Sequence, residues 1–302
     1  MHNNFAPIVL FTYKRLETLQ KTVQCLSDNF LASDSDLIIY SDGAKNIDDK
    51  EMIAKIRSYL KTISGFKSVT ILESITNKGL AASIIQGVSD VLKVYPSVIV
   101  LEDDLITSKN FLSFMNQSLE QYKSNEVILS VSGYTPNIGI EEFSYDAFFL
   151  NRSWSWGWAT WQNRWVEVDW GVNTYTDFTD NNNLKREFSN LGSDVNSMLK
   201  KQMNGNIDSW YIRFLFHQFN KKGLTVYPII SKVYNNGFDD LATHNKGSNK
   251  RFFTKVDLSD NLVFDFPPNI DTDKVILRKF KKINSIKTRI CNKLINIFSN
   301  EL

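Results

Sequence analysis

The amino-acid sequence predicts an α/β protein, a three-layer sandwich in which helices cover both faces of a mostly parallel sheet. Two observations predict it. Over the first 135 residues, short apolar runs alternate with segments whose apolar residues recur every three or four positions. The fourth run, at 98–101, is apolar throughout, as expected for a strand buried on both faces. Alternating strand and helix patterns are typical of a parallel sheet with helices on both sides.

The elements follow one another in strict order. Strands are predicted where β-branched and apolar residues cluster, at 8–11, 37–40, 69–72, 98–101 and 127–131. Helices are predicted between them from the spacing of apolar residues, at 16–26, 52–60, 79–94 and 111–122. Ligands of such sheets bind outside the carboxyl ends of the strands, so the residues directly after each strand are the candidates for function.

Size and composition describe an ordinary globular protein. The 302 residues are 42% hydrophobic and 23% charged, which excludes a disordered chain. No stretch reaches the ~18–20 apolar residues of a membrane span, and residues 1–4 do not resemble the start of a signal peptide. Two cysteines cannot build a disulfide framework or a cysteine-rich zinc site. These features lead us to expect a cytoplasmic protein.

Charge is distributed unevenly along the chain. Eight of the 35 basic residues and one of the 33 acidic residues lie in 274–302, so residues 1–273 carry a net charge of −5. An acidic body disfavours nucleic-acid binding. Within 274–298, apolar residues keep nearly helical spacing opposite the lysines, which indicates an amphipathic helix on an anionic membrane surface. The alternative is a helix that packs on the body or on a partner protein.

A cluster of three carboxylates, Glu102-Asp103-Asp104, directly follows the fourth predicted strand. Adjacent carboxylates at the end of a buried strand repel one another unless a cation or hydrogen-bond donors compensate. Mg²⁺ and Mn²⁺ take such oxygen ligands, whereas the plainer interpretation is a solvated turn. No G-x-G-x-x-G or G-x-x-x-x-G-K-[ST] motif occurs, which disfavours dinucleotide and P-loop enzymes.

These motifs, in this order, resemble those of GT-A fold glycosyltransferases over about residues 6 to 245. The chain is similar to the family-two nucleotide-sugar transferases and to N-acetylglucosaminyltransferases with an E-D-D metal motif. The segments that carry the resemblance are 7–15, Ser41-Asp42-Gly43, Asn77-Lys78-Gly79 and Glu102-Asp103-Asp104. The resemblance implies a nucleotide-sugar half at 1–135, an acceptor-side half of the same domain at 136–268, and a basic helical tail at 269–302.

The resemblance also implies roles for residues in the first half. Thr12, Tyr13 and Arg15 lie in the turn expected under the nucleotide base, and Asp42 stands where the family places an acid against uracil. Chemically, Asp42 can accept the N3–H of uracil, and Lys78 can pair with a phosphate near the start of a helix. Asp104 would hold the metal, and Asp103 would bind ribose or the donor sugar. A turn aspartate and a solvated lysine are the alternatives for Asp42 and Lys78.

The second half is rich in tryptophan, with four of the seven within 154–161. Indole rings stack on sugars, and a glycine among bulky rings indicates close backbone approach to a ligand or a positive φ. By resemblance, Trp156 and Gly157 are assigned to the loop over the donor sugar. An aromatic core is the alternative, with Trp154 and Trp158 inside and Trp156 facing the cleft.

Two more positions complete the expected site. Asp208 precedes an apolar helix and is the candidate general base, with Asp239 and Asp240 as alternatives and a helix N-cap as its structural interpretation. His244 lies in a polar loop, and by resemblance it would complete the metal site.

The sequence therefore predicts a Mn²⁺- or Mg²⁺-dependent, inverting glycosyltransferase. Its donor would be a nucleotide sugar, UDP-linked, and its acceptor a glycan or a lipid-linked glycan in surface polysaccharide synthesis, at the inner face of the membrane. A retaining transferase on the same fold and a non-catalytic carbohydrate-binding protein are the alternatives.

Overall fold

A sheet of eight strands runs through the computed structural model, which describes residues 5–140, 142–237 and 252–291. Its first half consists of strands β1 to β4 and helices α1 to α3 in alternation. The strands are Ile8–Thr12 (β1), Asp36–Ser41 (β2), Ser68–Glu73 (β3) and Ser97–Glu102 (β4). The helices are Leu16–Ser27 (α1), Asp49–Leu60 (α2) and Leu80–Leu92 (α3).

The rest of the described chain adds six strands and seven helices. The strands are Leu105–Thr107 (β5), Ile128–Ser132 (β6), Ala147–Leu150 (β7), Trp158–Trp161 (β8), Leu224–Pro228 (β9) and Val233–Asn235 (β10). The helices are Phe111–Tyr122 (α4), Gln162–Trp165 (α5), Tyr175–Asp180 (α6), Asn182–Ser189 (α7), Val195–Met203 (α8), Trp210–Asn220 (α9) and Lys274–Ile283 (α10). All nine elements expected in the first 135 residues are present.

The strand order of the large sheet is β3-β2-β1-β4-β8-β6-β9-β7, and β5 and β10 form a separate antiparallel pair. Four of the seven pairings in the large sheet are parallel. The predicted α/β class, with a mostly parallel central sheet and a C-terminal helix, is therefore confirmed. The arrangement is consistent with the GT-A-like fold that the resemblance implies.

Helices cover both faces of the sheet, and each face has its own hydrophobic core. Apolar residues of α1, α2 and α4 pack on one face, and those of α3 and α9 pack on the other. A third cluster joins α6, α7 and α8 to the remaining face of α9. Successive residues of β1 and β4 point alternately to the helices on one face of the sheet and to those on the other. Most positions of both strands are therefore apolar.

The strand order reverses between β1 and β4. From β1 the chain builds outward through β2 and β3, and it then returns to place β4 on the other side of β1. The chain leaves β1 into α1 and leaves β4 through β5 into α4, and both of these helices pack on the same face of the sheet, opposite α3. In open α/β sheets, such a switch point forms a crevice at the carboxyl ends of the strands, where ligands bind.

The C-terminal helix α10 packs on the body of the protein. Ile276 and Phe280 are 3% and 2% exposed, and the Phe280 ring lies against Trp154 and Tyr227 at centroid distances of 6.1 and 5.9 Å. The helix ends at Ile283, and a separate helical stretch begins at 286. This corrects the expectation of one continuous membrane-facing helix over 274–298, since the apolar stripe of α10 is buried in the protein.

Candidate functional site

Two aspartates at the switch point join the ends of β4 and β1. Asp103 and Asp104 follow β4 and are 6% and 8% exposed. Asp103 Oδ2 accepts hydrogen bonds from Thr12 Oγ1 at 2.9 Å and from the Tyr13 backbone N–H at 3.1 Å. The carboxylate thus holds the turn after β1 against the turn after β4, which brings together residues about 90 positions apart in the sequence.

Arg15 places a cation on the same two carboxylates. Its Nη2 donates to Asp104 Oδ2 at 2.6 Å and to Asp103 Oδ1 at 3.2 Å. Burial alone lowers the pKa of Arg15, but the charges of Asp104 and Asp103 outweigh burial and raise it above its usual range. Burial raises the pKa of Asp103, and Arg15 counteracts that rise. One positive charge therefore faces two carboxylates.

Glu102 adds a third acidic group beside this pair. Burial, followed by repulsion from Asp104 and Asp103, raises the pKa of Glu102 to about 8. The Glu102 carboxyl group is therefore harder to ionise than a free glutamate, first because it is buried and then because two negative charges lie beside it.

Asp104 has the chemistry of a ligand for a hard divalent cation. Within the described residues, the side-chain hydrogen bond to Asp104 comes from Arg15 and goes to Oδ2. No group of three His, Cys, Asp or Glu side chains in those residues is arranged to hold a metal ion. Proteins commonly hold Mg²⁺ by one or two carboxylates, water and substrate phosphates. Asp104 therefore fits a cation that is also bound by a phosphorylated ligand, and the described residues alone form no closed metal site around it.

The turn after β10 closes over Asp104, a feature the sequence did not indicate. The Asn236 N–H donates to the Asp104 carbonyl oxygen at 2.8 Å. A Cβ at Gly237 would lie 2.0 Å from Asp104 Oδ2 and 2.9 Å from Arg15 Nη1. Glycine is required here because the backbone approaches the carboxylate and its arginine partner at van der Waals distance.

Asp42, after β2, organises the loop that leads into α3. Its Oδ1 accepts from the Gly43 and Lys78 N–H groups, and its Oδ2 accepts from the Asn77 side-chain amide and the Gly79 N–H, at 2.8 to 3.0 Å. Four donors fill the acceptor capacity of a carboxylate. A uracil N3–H would therefore have to replace one of them.

A cavity of about 290 Å³ opens beside this loop. Asp42, Lys78 and Gly87 line it, together with the ends of β2 and β3. Lys78 Nζ donates to Gln86 Oε1 at 3.1 Å, at the protein surface. The predicted donor-binding residues of the first half thus lie around one stretch of the sheet edge, from Lys78 to Asp104.

Tyr13 has a partner that sequence reasoning missed. Its hydroxyl donates to Asp49 Oδ2 at 2.6 Å, and Lys14 Nζ lies 2.9 Å from Asp49 Oδ1. Burial, the hydrogen bond to Asp49 and the charge of Asp49 raise the pKa of Tyr13 to about 12. The turn after β1 is thereby fixed to the start of α2.

The tryptophans of 154–161 lie in the core, which corrects the assignment of Trp156 to a sugar-stacking surface. Trp156 is 8% exposed and meets Tyr134, Trp154 and Phe252 edge to face, with ring centroids 4.6 to 5.7 Å apart. Trp158 stacks on Trp210 at 4.7 Å. The rings pack against one another because each offers an apolar face that costs free energy when exposed.

Gly157 has the conformation expected from its bulky neighbours. Its φ is +56°, and a Cβ would lie 2.7 Å from a methyl group of Val233. The Gly133 N–H donates to the Gly157 carbonyl oxygen at 2.6 Å. The positive φ is confirmed, and the close approach is to side chains of the protein itself, whereas approach to a ligand stays a prediction.

Asp208 lies just before α9 as an exposed acid and does not cap the helix. The N-cap is Ser209, whose Oγ accepts from the Ile212 N–H, whereas Asp208 forms an ion pair with Arg213 at 2.8 Å. The Asp208 side chain is 63% exposed, and that of Arg213 is 15% exposed. Because Trp210 stacks on Trp158, which pairs with Val100 near the end of β4, the start of α9 lies at the same sheet edge as Asp103.

Three further predicted site residues, Asp239, Asp240 and His244, lie outside the residues that the structure describes. Their roles as an alternative base or as a metal ligand stay predictions.

No family model and no curated protein matches the chain. Among solved structures, the chain is similar to the mannosyltransferase PcManGT from Pyrobaculum calidifontis in complex with GDP-Man and Mn²⁺. Identity is 9% over 45% of this chain and 37% of that one, with a TM-score of 0.33. It is also similar to S. aureus TarS (10% identity, 55% and 30% of the chains, TM-score 0.35) and to TarS 1-349 (10%, 52% and 47%, 0.36). The chain spans less than half the length of each, and similarity at this level assigns it to no family.

Proposed function

We propose that the protein is a glycosyltransferase that uses a nucleotide-sugar donor. The observation that carries the proposal is the position of Asp103 and Asp104 at the switch point between β1 and β4, tied to Thr12, Tyr13 and Arg15. Buried carboxylates are costly to keep at a ligand-binding crevice unless a ligand uses them.

The charges at this crevice suit a nucleoside diphosphate accompanied by a cation. Arg15 neutralises one of the two aspartates, so the site keeps a negative charge that would repel a diphosphate on its own. Mn²⁺ or Mg²⁺ held by Asp104, with His244 as a further ligand, would neutralise the diphosphate of the leaving nucleotide. The nucleoside would occupy the cavity beside Asp42 and Lys78, with uracil as the base.

Asp208 is the proposed general base of an inverting reaction. A sugar hydroxyl that attacks an anomeric carbon loses a proton as the new bond forms, and a carboxylate can accept it. Its exposure at the sheet edge supports this role, since an acceptor can reach it. Arg213 holds the carboxylate in position through Nη2 and is itself fixed by the Ser209 carbonyl oxygen.

The acceptor would be a glycan or a lipid-linked glycan of surface polysaccharide synthesis. The reaction would transfer a hexosyl or an N-acetylhexosaminyl group to it. None of the helices in the described ranges has the length and apolar character of a membrane span. Membrane association would therefore rest on the exposed basic residues of the tail, such as Arg278 and Lys282, and not on the buried stripe of α10.

The proposal is tested by screening nucleotide sugars for Mn²⁺-dependent hydrolysis and by titrating Mn²⁺ with UDP in a calorimeter. We expect Asp104→Asn to abolish metal-dependent nucleotide binding while the circular dichroism spectrum stays unchanged. Asp28→Asn, an exposed position at the C-terminal end of α1, is the matched control and should bind as the wild type does. A non-catalytic carbohydrate-binding protein would show no metal-dependent nucleotide affinity, and that result would refute the proposal.

A further inference from the structure

We infer that a second pocket at the same sheet edge binds the aliphatic chain and phosphate of a single-chain, lipid-linked acceptor. The inference rests on the proposed function, because it names the acceptor class of that reaction. The pocket has a volume of about 330 Å³, within the range of small-molecule sites. Its walls come from the segments after β6 and β9 and from residues 254–258.

The position of the pocket follows from the direction of the strands. Strands β4 and β6 both run antiparallel to β8, and β9 runs parallel to β6. The carboxyl ends of β4, β6 and β9 therefore lie at one edge. Neighbouring strands are about 4.8 Å apart, so the ends of β6 and β9 lie roughly 10 and 14 Å from the end of β4. One acceptor molecule can bridge that distance to reach the donor crevice.

The walls of the pocket are predominantly aliphatic. The apolar side chains belong to Ile138, Ile140, Ile229, Ile230, Val256 and Leu258. Ile230 and Leu258 are 40% and 93% exposed, so aliphatic surface at the mouth of the pocket faces solvent.

Several polar groups of the lining are already used within the protein. Ser231 Oγ donates to the Val233 carbonyl oxygen and accepts from the Thr135 N–H. Thr254 Oγ1 donates to the Thr135 carbonyl oxygen, and Asp257 is paired with Lys232. A ligand that needs many hydrogen bonds, such as a free sugar, therefore finds few partners here, whereas an aliphatic chain needs none.

Positive charge lies at the rim. Lys255 is an exposed lining residue, and the one acid of the lining, Asp257, is neutralised by Lys232. On the other side, Lys279 of α10 donates to the carbonyl oxygen of Gly139, which also lines the pocket. An aliphatic interior with a cationic rim matches a chain that ends in a phosphate. The small volume favours one chain over the flat surface of a bilayer.

Binding of farnesyl phosphate to the full chain, below its aggregation concentration and without nucleotide or metal, tests this inference by calorimetry. We expect Ile230→Asp to weaken binding at least tenfold and Lys255→Gln to weaken it severalfold. Val166→Asp, an exposed aliphatic position at the opposite edge after α5, should bind as the wild type does. Ile230→Ala, with a smaller expected loss, serves if the aspartate variant does not fold.

Inorganic phosphate and vesicles of anionic diacyl lipid are the comparison ligands. Equal affinity for inorganic phosphate, or unchanged binding of farnesyl phosphate by Ile230→Asp, would overturn the inference. Binding to vesicles without binding to farnesyl phosphate would also overturn it, because the surface would then be a membrane contact. If the protein hydrolyses UDP-sugars but ignores farnesyl phosphate, the pocket assignment fails and the transferase stands. If the protein binds farnesyl phosphate but hydrolyses no nucleotide sugar, the transferase proposal fails and the lipid-phosphate pocket stands.

Discussion

Arg15 is the residue on which the character of the site depends most directly. It donates to both aspartates, and a side chain at position 237 would collide with Asp104 and with Arg15. If Asp104 holds a divalent cation, as proposed, that cation must compete with the Arg15 guanidinium for Asp104 Oδ2. At the scale of residues, the ion pair between Arg15 and Asp104 is therefore the contact that a bound cation would disturb first.

Asp208 is the residue whose role one isosteric change can test. Asp208→Asn keeps the shape of the side chain and can still accept a hydrogen bond from Arg213, but it cannot take a proton. We expect kcat to fall by about 10²- to 10⁴-fold with UDP affinity nearly unchanged, as measured by steady-state kinetics and calorimetry. Asp177→Asn, in the first turn of α6, is the control. An unaltered kcat would transfer the role to Asp239 or Asp240.

Sequence reasoning found the polar residues that follow strands, and it missed their partners. Thr12, Asp42 and Asp103 could be predicted because the position of a strand end is a local property. The contact of Gly237 with Asp104 could not, since the two residues are 133 positions apart and no local pattern connects them. Three of the four donors on Asp42 could not be foreseen either, because they depend on how the 76–79 loop folds back.

At the scale of elements, α10 shows why an amphipathic pattern alone does not identify its partner. The spacing of Ile276 and Phe280 predicts a helix with one apolar face, and a membrane and a protein core satisfy that face equally well. Here the partner is the aromatic cluster around Trp154 and Tyr227. Asp273 caps the helix by accepting from the Val275 and Ile276 N–H groups, which sets where it begins.

Removal of the Phe280 ring measures how strongly α10 is held. Phe280→Ala should lower the free energy of unfolding by about 3–5 kcal/mol, because it deletes a buried ring and leaves a cavity beside Tyr227. Arg278→Ala, on the exposed face of the same helix, should change it by about 0.5 kcal/mol or less. Urea denaturation of both variants gives the comparison. Equal, small effects would mean that the helix leaves the body in solution, as a membrane-bound tail would.

At the scale of the whole molecule, the strand order is the part of the fold that local patterns do not encode. Alternating strands and helices predict parallel neighbours, and β1 to β4 obey that rule. The short strand β8, Trp-Ala-Thr-Trp, inserts antiparallel between β4 and β6. Trp156, just before this strand, was assigned to a ligand surface because an isolated sequence does not show that Tyr134 and Phe252 pack against it. Both the strand order and the burial of the tryptophans therefore depend on contacts between segments that are far apart in the sequence.

Stability of the whole fold should depend on pH through His217 in α9. The side chain is 7% exposed, and no hydrogen-bond partner for Nε2 exists among the described residues. Burial, and then the charge of Lys221, lower the pKa of His217, while Glu167 and Asp169 act in the opposite direction. The folded protein therefore binds this proton less readily than the unfolded chain, whose histidine has a pKa of about 6.5.

The sign of the effect follows from that difference. Above pH 6.5 the histidine is neutral in the folded and the unfolded state, so its titration does not change the free energy of unfolding. As pH falls below 6.5, the unfolded chain gains the proton first, so the free energy of unfolding decreases, by at most about 1.4 kcal/mol per pH unit. The decrease ends once pH passes below the pKa of the folded state. His217→Gln removes this titration, so urea denaturation at pH 7, 6 and 5 should show a shallower loss of stability in the variant than in the wild type. Parallel pH profiles for the two proteins would place the acid sensitivity elsewhere, and a steeper profile for the variant would contradict the lowered pKa of His217.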